Sequence, residues 1–163
     1  MKAELDYMVT LAIRRPLVSL DTAAAALSKS NDDVLKLIDA GKILWAWDFG
    51  TGQSVNRLVR VWAASVMDYQ SHRRAPVQSE ASELRLIITH LFPGLSAQPG
   101  VVATVRASVL AERLGISSEI PSRLAKAGWL KIAKPARARS GRHGSPEISL
   151  NSVADLLKRR RIT

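Results

Sequence analysis

The sequence predicts a mainly α-helical chain with small β-hairpin wings, built as two tandem copies of one helix-turn-helix unit. Sliding the 163-residue chain on itself by 87 positions aligns residues 18–70 with 105–157 without a gap. The overlap holds 11 identities in 53 positions, where chance supplies about three. In each copy the apolar residues keep helical spacing up to a glycine, Gly41 or Gly128, and the first copy alternates after it. A composition of 47% hydrophobic and 23% charged residues, with 9 Gly and 7 Pro, suits a chain that buries a core.

The elements follow in order. Leu5, Met8, Val9, Ala12 and Ile13 fall on one stripe of a leading helix that Arg15-Pro16 ends. After an extended Leu17-Val18, Asp21 is expected to cap a helix over 22–27. Ser30 or Asn31 then caps a second helix that runs to Ala40 and stops at Gly41. Two short helices with a three-residue joint make a helix-turn-helix. Residues 43–49 and 55–62 alternate on either side of Gly50-Thr51-Gly52 and read as a two-stranded wing. A helix over 63–70 closes the copy.

The second copy repeats the plan. Leu84, Ile87, Ile88 and Leu91 form its leading stripe, stopped by Pro93-Gly94. Ser108 is expected to cap a helix over 109–114, and Ser117 or Ser118 a helix to Ala127, with Pro121 in its first turn. The wing region, 130–150, is rich in Lys, Arg, Ala, Ser, Gly and Pro, has a weak strand signal, and predicts a long flexible tip. A helix over 152–160 ends it. The resulting division is a first domain over 1–74, a polar linker over 75–81, and a second, basic domain over 82–163.

Charge separates the copies. Residues 1–80 hold 10 Lys/Arg against 9 Asp/Glu, net +1, whereas residues 81–163 hold 14 against 5, net +9. Such an excess repels itself unless a polyanion neutralises it. Zero Cys and three scattered His exclude a disulfide framework, thiolate chemistry and an all-protein metal site. Neither a Ser-His-Asp spacing nor a phosphate loop occurs, and His90 reads as a packed helix residue. The chain is therefore expected not to be an enzyme and to need no cofactor. No run reaches the length of a membrane span, and Glu4 and Asp6 are wrong for a signal peptide. A cytoplasmic, nucleoid-associated protein with no membrane partner is expected.

These residues carry a resemblance. Residues 20–27, then Ser30, Val34, Leu37-Ile38 and Ala40-Gly41-Lys42-Ile43, followed by hairpin and short helix, are similar to the winged helix-turn-helix of MerR-like and excisionase-like DNA-binding domains. Residues 109–117 and 124–130 match the pattern's turn better. Together the matches cover roughly two thirds of the chain; the motif is more specific for fold than for role. The chain departs from full-length MerR regulators in its two copies and in lacking a long C-terminal coiled coil or effector domain. The resemblance implies a second helix in the major groove, a wing on adjacent backbone or minor groove, and a transcription regulator or recombination directionality factor. A recombinase is then a further possible partner, and no small-molecule effector is expected.

Candidate contacts follow from side-chain chemistry. In the second copy Ser118, Ser122, Arg123 and Lys126 lie along the second helix, and Lys131, Lys134, Arg137, Arg139 and Arg142 along the wing. Arginine reads guanine edges, whereas lysine and serine suit phosphates. In the first copy Asn31, Lys36, Arg57 and Arg60 are candidates, beside acids that repel phosphate. Arg159 and Arg160 can track backbone or complement a helix end. Trp45, Trp47 and Phe49 recur every second residue, as core, as a stacking platform, or as a self-association surface. The contrasting reading is an adaptor whose acidic first domain binds protein while only the second binds nucleic acid.

Overall fold

The first helix is started by a serine that also ends a strand. In the computed structural model, which describes residues 15–50, 57–71, 80–95, 103–135, 138–139 and 142–162, β1 (Leu17–Ser19) passes directly into α1 (Leu20–Leu27). Ser19 Oγ accepts the Thr22 N–H at 3.1 Å. The expected cap, Asp21, lies instead inside the first turn, where a carboxylate favours the helix dipole. The helix ends at Ser28 with a left-handed φ of 52°, and Lys29 N–H donates to Ala24 O at 2.9 Å. Ser30 Oγ accepts the Asp33 N–H and so starts α2 (Asn31–Asp39).

The chain divides into two units, Met1–Ser79 with Arg160–Thr163, and Glu80–Arg159. In the first, β2 (Ala46–Asp48) and β3 (Val59–Trp62) follow the helix pair, and α3 (Ala63–Gln70) closes it. Both strands are shorter than the alternating pattern suggested. The sheet order is β1-β3-β2-β9, all antiparallel, where the last strand is Arg161–Ile162 from the end of the chain. The repeat had placed that segment with the second copy. Ala46, Val61 and Ile162 stand opposite one another and join Val34, Ile38 and Val66 in the helical core. The fully buried Val34, Ile38, Val61 and Val66 each contribute about 1.5–3 kcal/mol relative to exposure.

The second unit consists of α4 (Glu80–Leu91), β4 (Thr104–Arg106), α5 (Ala107–Leu114), α6 (Ile120–Lys126), β5 (Ile132–Lys134), β6 (Ala138–Arg139), β7 (Arg142–His143), β8 (Glu147–Ser149) and α7 (Leu150–Arg160). Its main sheet runs β4-β8-β5, and β6 pairs with β7. Helix α4 opens at Glu80, inside the expected linker. Within the tip expected to be long and flexible, Ala138–Arg139 pairs with Arg142–His143. The leading helix over 5–13, the turn residues Thr51 and Gly52, residues 75–79 of the expected linker, and Arg137 lie outside the described residues.

Many bonds repeat at the 87-residue offset, although the pairing of β5 with β8 slips by one residue: Trp62 N–H donates to Trp45 O, but Ser149 N–H donates to Lys131 O. Leu17↔Trp62 and Ser19↔Arg60 of the first sheet become Thr104↔Ser149 and Arg106↔Glu147 of the second. The Lys42 N–H to Leu37 O bond returns as Trp129 to Leu124, and the Ala63 N–H to Pro16 O bond as Leu150 to Ala103. Left-handed Ser28 is replaced by left-handed Gly115, and Gly41 by Gly128. The conformation is thus set by position, and glycine removes its steric cost.

Two departures from the expected caps occur, one with a distant cause and one with a local cause. Ser108 does not cap α5; that helix begins at Ala107, and its Ser108 N–H donates to Ser145 Oγ, 37 residues away, at 3.0 Å. Neither Ser117 nor Ser118 caps α6 with its side chain. Pro121 has no N–H to continue an α-turn, so Ile120 N–H closes a tighter turn on Ser117 O, and the helix starts three residues later than its counterpart's cap.

Candidate nucleic-acid interface

Helix α6 buries Pro121 and Leu124 and leaves Ser122, Arg123 and Lys126 exposed. Ser122 and Lys126, four apart, share a face, with Arg123 beside them. Ser118 is exposed in the turn before the helix. Arg123 Nη2 donates to Glu119 Oε2 at 2.9 Å, an ion pair in which the two side chains are 60% and 72% exposed. Exposed pairs of this kind are worth about 0.2–1 kcal/mol, so the guanidinium is only weakly held by the glutamate.

Past Gly128 the chain enters β5, where Lys131 and the whole strand are exposed. Lys134 Nζ lies 3.1 Å from Glu147 Oε2, which also accepts the Thr104 hydroxyl at 2.8 Å. The Thr104 bond first, then Lys134, hold the Glu147 carboxyl below its ordinary range. Further along the wing, the β6–β7 register sets Arg139 directly opposite Arg142. Arg159 is exposed on α7, whereas Arg160 is partly buried. Arg106, exposed at the junction of β4 and α5, was not singled out from the sequence; the repeat places it at the position of Ser19.

The candidate residues of the first unit are turned inward or neutralised. Asn31 Nδ2 donates to Asp21 Oδ1 at 2.6 Å, and Lys36 lies 3.5 Å from Asp33. Arg57 Nε donates to Asp48 Oδ2 at 3.1 Å. Arg60 is half-buried with its guanidinium on the Val59 carbonyl at 2.9 Å; burial lowers its pKa, and Asp21 partly offsets that. Asp48 ties the hairpin together, its Oδ1 accepting the N–H groups of Gly50 at 2.9 Å and Leu58 at 3.1 Å. Burial opposes its charge, but these bonds and Arg57 outweigh it and keep the carboxyl below the usual range.

The tryptophans correct one expectation. Trp45, Trp47 and Phe49 are 7%, 0% and 0% exposed, so these rings are neither a stacking platform nor a self-association surface. They are buried as core. Ala46 faces the helical core, so alternation within β2 puts Trp47 on the opposite face of the sheet, while Trp45, just before the strand, has a left-handed φ of 65°. Trp45 and Trp47 stack with centroids 6.1 Å apart, and the Arg161 guanidinium lies 3.8 Å over the Trp45 ring. His90 is exposed on α4, with Nδ1 3.0 Å from Leu86 O, and is not packed as expected.

No helix among the described residues is long and apolar enough to cross a membrane. No protein-family model matches the chain, and no curated protein matches its sequence. A search of solved structures returns the DIP2311 protein from Corynebacterium diphtheriae at 13% identity and a TM-score of 0.23, covering 90% of this chain. The matched region spans 26% of that protein's length.

Proposed function

We propose that the chain is a double-stranded DNA-binding protein of two winged helix-turn-helix units, in which the second unit makes the principal contact. The observation that carries this reading is the sequence of exposed cations from α6 into the strand that follows: Arg123, Lys126, Lys131 and Lys134. They lie in the half of the chain that carries a net +9. Helix α6 is short and solvent-facing, Ser122 and Lys126 are placed for phosphates, and Arg123 has the fork geometry for a guanine edge. The first unit presents Asp32, Asp33 and Asp39 on the corresponding helix, which favours a supporting role for it. The resemblance to MerR-like and excisionase-like domains extends the proposal to transcription regulation or recombination directionality.

The test is a fluorescence-anisotropy titration of the whole protein on duplex DNA over a salt series. Each phosphate neutralised contributes about −0.9 to the slope of log K against log salt. Lys126→Ala is expected to make that slope shallower by about one unit, and Arg123→Ala to cost about 1–3 kcal/mol on a preferred site with less loss on random sequence. Salt-independent binding, or variants indistinguishable from the parent, would refute the reading. The adaptor alternative rests on the acidic α2 and is favoured if DNA binding is lost on charge removal in the second unit while a protein partner is retained.

A further inference from the structure

The first unit is completed by a strand that the chain supplies only after threading through all of Glu80–Arg159. Ala46 stands opposite Ile162 and Trp47 opposite Arg161. Ile162 packs against the helical core from one face of the sheet, and the Arg161 guanidinium stacks on Trp45 at 3.8 Å from the other. The two residues therefore meet two different surfaces at once, an aliphatic one and an aromatic one. That is a built acceptor for an extended Arg-Ile segment.

We propose that the β2 edge of the first unit is a strand-acceptor site that takes the Arg161–Ile162 segment in cis and, between two copies of this chain, in trans, giving a strand-exchanged dimer. The occupant is named by its fit. A strand on the far side of a connecting segment can be exchanged between identical chains while every native contact is remade, and only the connection changes. Two residues make few contacts, so closure in cis rests on effective concentration, which for a tethered segment is typically about millimolar. A second copy competes as the protein approaches that level.

The repeat explains why the segment prefers this edge. In the second unit the matching edge strand, β5, pairs on its other side with nothing among the described residues. Against β8, Ile132 takes the place that Ala46 holds against β3, and Lys134 that of Trp47; Ile132 is 48% exposed. Lys134 offers an incoming guanidinium no ring to stack on, and the register shift between Ile132 and Lys134 blunts the edge. The β2 strand has neither feature.

The chain has no cysteine, so introduced thiols report cleanly. Paired Cα positions on antiparallel strands lie within disulfide reach. Chains carrying Ala46→Cys are mixed with chains carrying Ile162→Cys and mildly oxidised at about 10 µM and about 1 mM, spanning the effective concentration. A covalent heterodimer that grows with concentration and exceeds a control pair of Ile162→Cys with the exposed Ser71→Cys several-fold is expected. The double variant is expected to close on itself at the lower concentration. Light scattering of the unaltered protein decides the matter should Ala46→Cys fail to fold: a dimer fraction that rises with concentration, and is lost on deleting 161–163, supports the site. A monomer throughout, or a heterodimer yield equal to the control, overturns the proposal.

Discussion

Arg57 has two incompatible roles open to it, phosphate contact or hairpin clamp, and perturbing Asp48 separates them. The Asp48 side chain is 25% exposed and accepts three bonds, two from backbone N–H groups and one from the 58% exposed Arg57. Removing the carboxylate with Asp48→Ala strips acceptors from the partly buried Gly50 and Leu58 donors, at about 1 kcal/mol each, and loses the ion pair. The exposed ion pair is worth about 0.5 kcal/mol, so the total loss is about 2–3 kcal/mol. Asp48→Asn keeps an oxygen for the two N–H groups and should cost about 1 kcal/mol. Arg57→Ala should cost about 0.5 kcal/mol.

Urea unfolding followed by tryptophan fluorescence measures these values, since Trp45, Trp47 and Trp62 all belong to this unit. The pH dependence supplies an independent check. Because the folded carboxyl is held below its ordinary value, its contribution is complete above the unfolded aspartate pKa of about 3.9 and is lost as pH falls through the folded value. The gap between parent and Asp48→Asn should therefore close in acid. Arg57→Ala should leave the salt slope of DNA binding unchanged. An Asp48→Ala protein within about 0.5 kcal/mol of the parent, or an Arg57→Ala slope shallower by about one unit, would show that the clamp is the wrong role.

Two further outcomes follow. Ser28 holds φ 52° where the second unit places Gly115 at 63°, so Ser28→Gly should stabilise the first unit by about 0.5–1 kcal/mol and Gly115→Ser destabilise the second by a similar amount, read by the same unfolding curves. Glu119→Ala frees Arg123 from its 2.9 Å partner and removes an acid beside the proposed contact, so DNA affinity should rise several-fold at low salt with a steeper slope.

Much of the fold was legible because it is periodic. The helix pairs, their stops at Gly41 and Gly128, and the 87-residue repeat all rest on local spacing, and many hydrogen bonds recur at the same offset. Caps were less legible. Ser19 lies beside Asp21, and both are good capping residues, so which one begins the helix depended on where β3 holds β1. Ser145 caps a helix 37 positions before it, a distance at which sequence carries no local signal.

The candidate contacts divide the same way. Charge asymmetry between the halves is a property of composition and needed no coordinates. That Arg57 and Arg60 serve their own hairpin, while Arg123 and Lys126 face solvent, depended on packing.

By itself the sequence determined the repeat, the pairs of short helices and the concentration of charge in the second half, because these are read from composition, from self-comparison and from spacing within each helix. Only the tertiary structure decided that Trp45, Trp47 and Phe49 are buried and that Arg161–Ile162 belongs to the first unit. Strand pairing joins residues more than a hundred positions apart through backbone groups that every residue carries, so the local pattern cannot name the partner.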